Sequence, residues 1–571
     1  MSTKVLNLPS VERPWMKFYP DFMQDIKVPE CKISEFLAFR RADVDESAID
    51  YYGDVLSYRD LLQLASRIKK SLLAFGVRPD DQIVVFMESS PVFLALLFAC
   101  EDLGVSIVCR DGTVPENIIA VHNSKAKLVF VSDTTSEELQ SFLNISSGVT
   151  VIRVDMFSYH SMPVLPDYAK RTYEAARNHL KFGTSFEKFL EKGKDIKDVE
   201  FYFDCNRPLL RCYTTGTTGM SKQVIHSSHT ILGVVCQMTF FTRTEGEPLK
   251  WLQACLPPSL VACIVSMQLM PLANDNLLVL DPYCAPENID QAILHHKANC
   301  MALIPMFIDV LLHSKYITED TDLSFIKQIG AGAEAMNDRQ ILQVQDFLKN
   351  HKCEAKFAFG YGLSEAGSNL TLPHPTEPVT NCCYGMPMPL VVMGIFDENN
   401  NELGYNQAGY VCCQTPGMML SYGGLTYDMN DKNTSETLVR HKDGKLWLHT
   451  GDIGTISEDG AVHILNRGFS YAEDGTQLDA LPLENKCCFI SGISDMFFVT
   501  VQNPDNDSYS SYLYVVPDGN FEMNEFTKKL HEVLSPAEYP KRIYVIHKRP
   551  YFHFKTARKR LMQEIRQEMT Q

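Results

Sequence analysis

Between residues 58 and 132 the chain alternates helix and apolar strand with few residues to spare, and this alternation restricts the fold more than anything else in the sequence. "LSYRDLLQLASRIKKSLLAFGV" carries apolar residues at helical spacing and reaches Gly76, a residue suited to the left-handed position after a helix. "DQIVVFMES" reads as a buried strand, "SPVFLALLFACEDLG" as a second helix, and "VSIVC" and "AKLVFVSD" as further strands. Strands joined through helices run parallel, and a parallel sheet must be covered on both faces. The pattern resumes with "HTILGVVCQMTFF", "NLLVL", "PENIDQAILHHKA" and "CMALIP". The fold class is therefore α/β, with doubly wound, mostly parallel sheets in a large N-terminal domain spanning 1–466. Short strands with Gly and Pro turns at about 385–466 predict a β-rich subdomain within it. A hinge is expected at 467–469, and 470–571 reads as a small, mobile α+β domain. The polar, weakly patterned segment 157–200 is expected to be a surface excursion.

Composition excludes several classes. At 571 residues, 45% hydrophobic and 22% charged, the chain supports several packed domains and shows no low-complexity disorder. A net charge of −17 argues against nucleic acid as a partner. The local exception is the basic C-terminal "KTARKRLMQEIRQ". The 17 cysteines are odd in number and contain no C-x-x-C, and the Cys-Cys pairs at 382–383, 412–413 and 487–488 lack zinc spacing. Reduced, buried thiols in a cytoplasmic protein are expected. "MSTKVLNLPSVERPW" lacks the apolar core of a signal peptide. The most apolar segment is interrupted by Glu101 and Asp102, so no transmembrane segment is expected.

Residues 213–224, "YTTGTTGMSKQV", place four Thr and two Gly ahead of Lys222. That composition suits a loop whose amides, hydroxyls and ammonium converge on an anion, with polyphosphate as the natural ligand. It is not the common G-x-x-x-x-G-K-[ST] loop, because Met220 and Ser221 separate the second Gly from Lys222. Read alone, it is equally a polar surface turn. Two more polar turns, at 330–334 ("GAGAE") and 361–367 ("YGLSEAG"), follow predicted strands. Parallel sheets bind ligands at such carboxyl ends.

Seven segments in order, "YTTGTTGMSK", "GAGAE", "YGLSEAG", "GMPMP", "LWLHTGDIG", "LNRG" and "EYPKRIYVIHKRPYFHFKTARKR", resemble the adenylate-forming superfamily of acyl-CoA synthetases, peptide-synthetase adenylation domains and luciferases. The resemblance runs from about Tyr58 to Arg560 and is greatest to AMP-forming acyl-CoA ligases. It implies that a carboxylic acid is joined to the α-phosphate of ATP, that pyrophosphate leaves, and that the acyl group passes to CoA. ATP, Mg²⁺ and CoA are the implied cofactors. Thr214, Thr215, Gly216, Thr217, Thr218, Gly219 and Lys222 are implied to hold the phosphates, and Glu365 with Thr217 the Mg²⁺. Gly332, Ala333 and Glu334 match the adenine-side turn. Tyr361 would stack on the base, with Gly362 and Ser364 completing the nucleotide set. Asp452 matches the ribose-binding Asp, and Arg467 an Arg that contacts ribose or phosphate. Lys555 matches the lysine that bridges carboxylate and phosphate. Alone, Glu365 is equally a carboxylate at a helix start, Asp452 a turn residue and Arg467 a surface charge.

Several positions depart from the family pattern. Lys555 comes one residue early, Phe554 stands where Gly is expected, and Lys559 is the fallback for the catalytic lysine. Gln223 replaces a Gly, Ser221 a Pro, and Phe469 the acidic hinge residue. The segment "SYAEDGTQLDALPLE" keeps little of the pattern that supports the second half-reaction, so adenylation is better supported than thioester formation. "LPPSLVACIVSMQLMPLANDN" has no acid before Asp275 to pair with a substrate ammonium, which disfavours α-amino acids. Ala262, Cys263, Val265 and Met267 there suit a fatty or other apolar acyl group, although the stretch is equally a buried core helix. Three readings stay open: an acid–CoA ligase, a stand-alone enzyme that loads a carrier protein, and a nucleotide-binding protein without turnover.

Overall fold

The alternation becomes two large mixed sheets in the computed structural model, which describes every residue except 1–6, 25, 146–147, 157, 159–163, 178–181, 215–220, 243–247, 381, 424–431, 553 and 571. One sheet has eight strands, ordered Ser421–Tyr422, Gln223–Ser227, Pro208–Tyr213, Ser106–Cys109, Gln82–Phe86, Leu128–Ser132, Thr150–Val154 and Thr184–Ser185. The first two join antiparallel and the rest run parallel. The other has seven strands, ordered Phe357–Phe359, Gln328–Ala331, Cys300–Leu303, Lys250–Ala254, Leu277–Asp281, Ser47–Tyr51 and Asp54–Ser57. It is parallel apart from its last pair.

Helix Pro91–Leu103 lies in the core shared by both sheets, with every residue but Asp102 buried. Ser90 caps it by accepting from the Phe93 amide at 3.2 Å, and Gly104 ends it at φ 66°. Its two acids are absorbed without a membrane. Glu101 accepts from the Ile33 amide at 2.8 Å and the Ser228 hydroxyl at 2.6 Å, and Asp102 pairs with Lys32 and Lys69. No helix among the described residues is long and apolar enough to cross a membrane.

Segment 157–200 is not a surface excursion. Helix Phe186–Gly193 buries Phe186, Phe189 and Leu190 and packs on helix Tyr58–Ala74, while Thr184–Ser185 extends the eight-stranded sheet. Gly193 approaches so closely that an added Cβ would lie 2.5 Å from the Ser71 amide nitrogen. Helix Asp167–Ala176 buries Tyr168 and Tyr173. Full burial of each of these large apolar side chains contributes about 1.5–3 kcal/mol.

Strands Val392–Phe396, Gly409–Gln414, Leu438–Arg440, Leu446–Ile456 and Val462–Asn466 form a five-stranded antiparallel sheet. Beyond it lies a small C-terminal α+β unit: strands Ile493–Gln502, Tyr509–Pro517 and Arg542–Val545, with helices Ala480–Cys487, Met523–Val533 and Arg558–Thr570. It has its own buried cores around Phe498 and Phe497. It docks on the large unit through helix Asp338–Asn350. The Asp338 amide donates to Asn485 Oδ1 at 3.0 Å, and Arg339 Nη1 to the Ile493 carbonyl at 2.7 Å.

Candidate active site

The strands that flank the Thr/Gly loop, Pro208–Tyr213 and Gln223–Ser227, pair antiparallel as the two arms of a hairpin. The Thr214 amide donates to the Lys222 carbonyl at 2.8 Å, and the Lys222 amide to Thr214 Oγ1 at 3.1 Å. These residues close the base of the loop. Thr215, Gly216, Thr217, Thr218 and Gly219 lie outside the described residues. Arg110 braces the base, with its guanidinium 3.9 Å from the Tyr213 ring centroid and Nη1 3.2 Å from Ser221 Oγ. Gln223, the departure from Gly, bonds Tyr213 Oη through Nε2 at 2.9 Å and accepts from Arg211 at 3.5 Å. Gly423 makes room for it, since a Cβ there would lie 2.2 Å from Gln223 Oε1.

Gly332 directly follows a strand of the seven-stranded sheet, and the Glu365 turn joins the two strands of a small separate sheet, Gly362–Leu363 and Ser368–Asn369. After Phe357–Phe359, residues Ser364–Ala366 form a short 3₁₀ turn that Gly367 ends at φ 78°. His226 Nε2 donates to the Ser364 carbonyl at 2.8 Å. Burial pushes this imidazole down to about 4, so it stays neutral. Glu365 Oε1 accepts from the Tyr422 hydroxyl at 2.6 Å, and Lys222 Nζ lies 4.6 Å from the centroid of the Tyr422 ring. Burial, then the Glu365 charge, pushes the Tyr422 phenol up, so it remains a donor. Glu365 thus presents a carboxylate whose orientation is fixed by a neutral donor. Such a hard oxygen ligand fits Mg²⁺.

Tyr361 and Asp452 meet directly: the Tyr361 hydroxyl donates to Asp452 Oδ2 at 2.5 Å. Asp452 is not a turn residue. It lies within strand Leu446–Ile456, just after Gly451 at φ 80°. Arg467 Nη1 is 3.7 Å from Asp452 Oδ1. Burial pushes the Asp452 carboxyl up, against the opposing pull of Arg467, Tyr361 and Lys555. Gly332 follows strand Gln328–Ala331, and Ala333 takes φ 69°. Glu334 Oε1 accepts from the Thr556 amide of the C-terminal unit at 2.9 Å, while Oε2 is buried with no donor among the described residues. Gly362 is needed sterically: a Cβ there would lie 2.0 Å from the Ser368 carbonyl.

Lys555 reaches this cluster from the other side. Strand Lys555–Thr556 pairs with Tyr551–Phe552. Phe554 takes φ 66°. Its ring meets Phe307 of helix Pro305–Leu312 edge to face, with centroids 6.2 Å apart. Burial, then Arg467, pushes Lys555 below its usual value, while Glu334, Asp452 and Glu365 push it up. The ammonium therefore shares one electrostatic environment with four residues of the candidate nucleotide site. Lys559 falls on helix Arg558–Thr570, and Arg558 bonds Glu484 at 2.6 Å.

Cys263 and Val265 are fully buried, Met267 is nearly so, and Ala262 is half-buried. Their helix is irregular, because Val265–Leu269 winds as a π turn between two α segments. Such turns are frequent at functional sites. Beside it, Ser266 Oγ lies 2.6 Å from Ser368 Oγ and 3.0 Å from Asn369 Oδ1, a polar patch that apolar patterning hides. Tyr422, Arg110 and His226 were likewise missed by sequence reasoning. Tyr422 reaches the site by pairing strand Ser421–Tyr422 against Gln223–Ser227, about 200 residues away in sequence, and no local signal marks that.

The chain is 23% identical over 519 residues to 4-coumarate–CoA ligase 3 of Arabidopsis thaliana, covering 86% of this chain and 84% of that one. It is 24% identical over 432 residues to the fatty acid–[acyl-carrier-protein] ligase ScoC of Streptomyces coeruleorubidus, covering 73% of each. ATP-bound MatB from Rhodopseudomonas palustris shares the fold, with a TM-score of 0.78 at 19% identity, covering 95% of this chain and all of that one. The family model described as AMP-binding enzyme matches residues 38–423, and the chain belongs to that family.

Proposed function

We propose that the protein activates an apolar carboxylic acid with ATP and transfers the acyl group to CoA. The observation that carries this reading is the Glu334 carboxylate accepting from the Thr556 amide across the junction of the two units, which brings the neighbouring Lys555 within the electrostatic influence of Glu334, Asp452, Glu365 and Arg467. In the first step a carboxylate oxygen bonds the α-phosphorus, the bond to the bridging oxygen breaks, and pyrophosphate leaves. In the second the CoA sulfur bonds the acyl carbon, the carbon–oxygen bond breaks, AMP leaves and the thiol proton passes to solvent.

Both reactants of the first step are anions, so the residues act by neutralising charge as it concentrates. Lys222 and the Thr214–Gly219 loop hold the β- and γ-phosphates. Lys555 bridges the carboxylate and the α-phosphate. Tyr361 packs on the adenine beside Gly332, Ala333, Gly362 and Ser364, and Asp452 with Arg467 orients the ribose. Glu365 and Thr217 hold Mg²⁺, which when bound screens phosphate charge. Glu334 holds the Thr556 backbone and so fixes the neighbouring Lys555. Residues 467–469 serve as the hinge between domains 1–466 and 470–571. Ala262, Cys263, Val265 and Met267 form the apolar wall of the acyl site.

A second reading, loading of a carrier protein instead of CoA, is favoured by the hinge. Phe469 stacks on Tyr471 with centroids 5.5 Å apart and meets Tyr410 edge to face at 5.2 Å, where the family pattern has an acid. Mass spectrometry of the protein with ATP, Mg²⁺ and fatty, aryl and amino acids, with and without CoA, separates the readings. Acyl-CoA is the expected product. Acyl-adenylate that persists in the presence of CoA favours carrier loading, and absence of both products contradicts either enzyme reading.

A further inference from the structure

We propose that Cys412, His441 and His449 form a binding site for one zinc-class metal ion, separate from the candidate active site. Their ligand atoms all lie within 4.8 Å of one another. Sequence spacing gives no hint of it, because the residues come from different strands. Cys412, in strand Gly409–Gln414, sits directly opposite His449, in strand Leu446–Ile456. His441 follows strand Leu438–Arg440, which pairs with Leu446–Ile456 from its other side. A tight turn brings it back, with the His441 amide donating to the Lys445 carbonyl at 3.0 Å.

His441 Nε2 and His449 Nε2 face each other at 2.7 Å. A tetrahedral metal holds two imidazole nitrogens about 3.3 Å apart, so binding here needs a small separation of the pair. The His441 ring stacks on Trp447 and meets Phe396 edge to face, so its direction is fixed by packing. Its Nδ1 is buried without a partner among the described residues, so no hydrogen bond there holds it to one tautomer. Cys412 is fully buried, His441 nearly so, and His449 is partly buried. One sulfur and two imidazole nitrogens make a borderline-soft donor set that suits Zn²⁺, with water in the fourth position. In the metal-free pair one Nε2 carries a proton and donates to the other. Binding uses both Nε2 lone pairs, so that proton moves to Nδ1 of the same ring. The Cys412 thiol proton leaves to solvent as the metal–sulfur bond forms. One proton is therefore released per metal bound.

Full-length protein freed of metal with a chelator and titrated with Zn²⁺ by calorimetry, in buffers of different ionisation heat, tests this. One equivalent bound with about one proton released is expected. With Co²⁺ in place of Zn²⁺, a thiolate-to-metal charge-transfer band is expected in the near ultraviolet. Cys412→Ser should abolish the band, and Cys412→Ser and His449→Gln should each weaken Zn²⁺ binding by at least about tenfold. If Cys412→Ser does not fold, His449→Gln and X-ray absorption of the zinc-loaded parent decide, with one sulfur and two imidazoles expected in the shell. No stoichiometric binding, a band that survives Cys412→Ser, or a shell without sulfur would overturn the proposal.

Discussion

Lys555 carries the most weight of any single residue. Its cation is pushed below the usual 10.5 by burial and Arg467, and Glu334, Asp452 and Glu365 oppose that shift. In the proposed step the protonated form is the one that neutralises phosphate. A depressed value means the cation is lost at lower pH than for an ordinary lysine, so the alkaline limb of adenylation should lie below 10.5. Lys555→Arg should move that limb upward, and Lys555→Ala should lower pyrophosphate release by about 100-fold or more with ATP binding little changed. Steady-state kinetics against pH checks all three. Tyr422→Phe removes one hydrogen bond to Glu365, so a loss of several-fold (about 1 kcal/mol) and a higher Mg²⁺ requirement are expected in a metal titration of the rate. At this scale the residue types were legible in the sequence because each motif is local. The partners were not: the Tyr361–Asp452 hydrogen bond joins positions 91 residues apart.

Elements explain two of the departures. Phe554 occupies a backbone region that Gly adopts freely and other residues enter at a cost of about 1–2 kcal/mol. The Phe307 contact offsets that strain and ties the lysine-bearing strand to helix Pro305–Leu312. Phe307→Ala should therefore lower the adenylation rate more than it lowers affinity for ATP, and should raise proteolytic sensitivity around 550–557; unchanged rate and cleavage would contradict this role. His226 gives the second case. Its folded value of about 4 lies below the usual 6.5, so the unfolded chain binds more protons between those limits. Stability contributed by the neutral ring is complete above 6.5 and is lost as pH falls toward 4, by about 3 kcal/mol in all. Urea unfolding from pH 7 down to 5 should show a falling midpoint that His226→Gln flattens. Helices Asp167–Ala176 and Phe186–Gly193 show where element-level reading stops. Each is held by two or three buried aromatic and aliphatic anchors; Phe186, Phe189 and Leu190 recur at helical spacing, but nothing local shows that this face packs on helix Tyr58–Ala74.

At the scale of the whole molecule, the doubly wound α/β class was legible because strand and helix periods repeat over hundreds of residues. The division into an eight-stranded and a seven-stranded sheet was not, since strand order is a tertiary property. That division places the Lys222 hairpin on one sheet, the Gly332 turn on the other with the Glu365 turn following its strand Phe357–Phe359, Asp452 on the five-stranded sheet and Lys555 on the C-terminal unit. The candidate site exists only where these four meet, which gives the account its central claim: the carboxylate is activated on the α-phosphate. The direct test is isotopic. The acid that gives the most pyrophosphate is labelled with ¹⁸O in its carboxylate and turned over with ATP, Mg²⁺ and CoA. One ¹⁸O in AMP and none in pyrophosphate is the expected result. Label in inorganic phosphate, or unlabelled AMP, would contradict it.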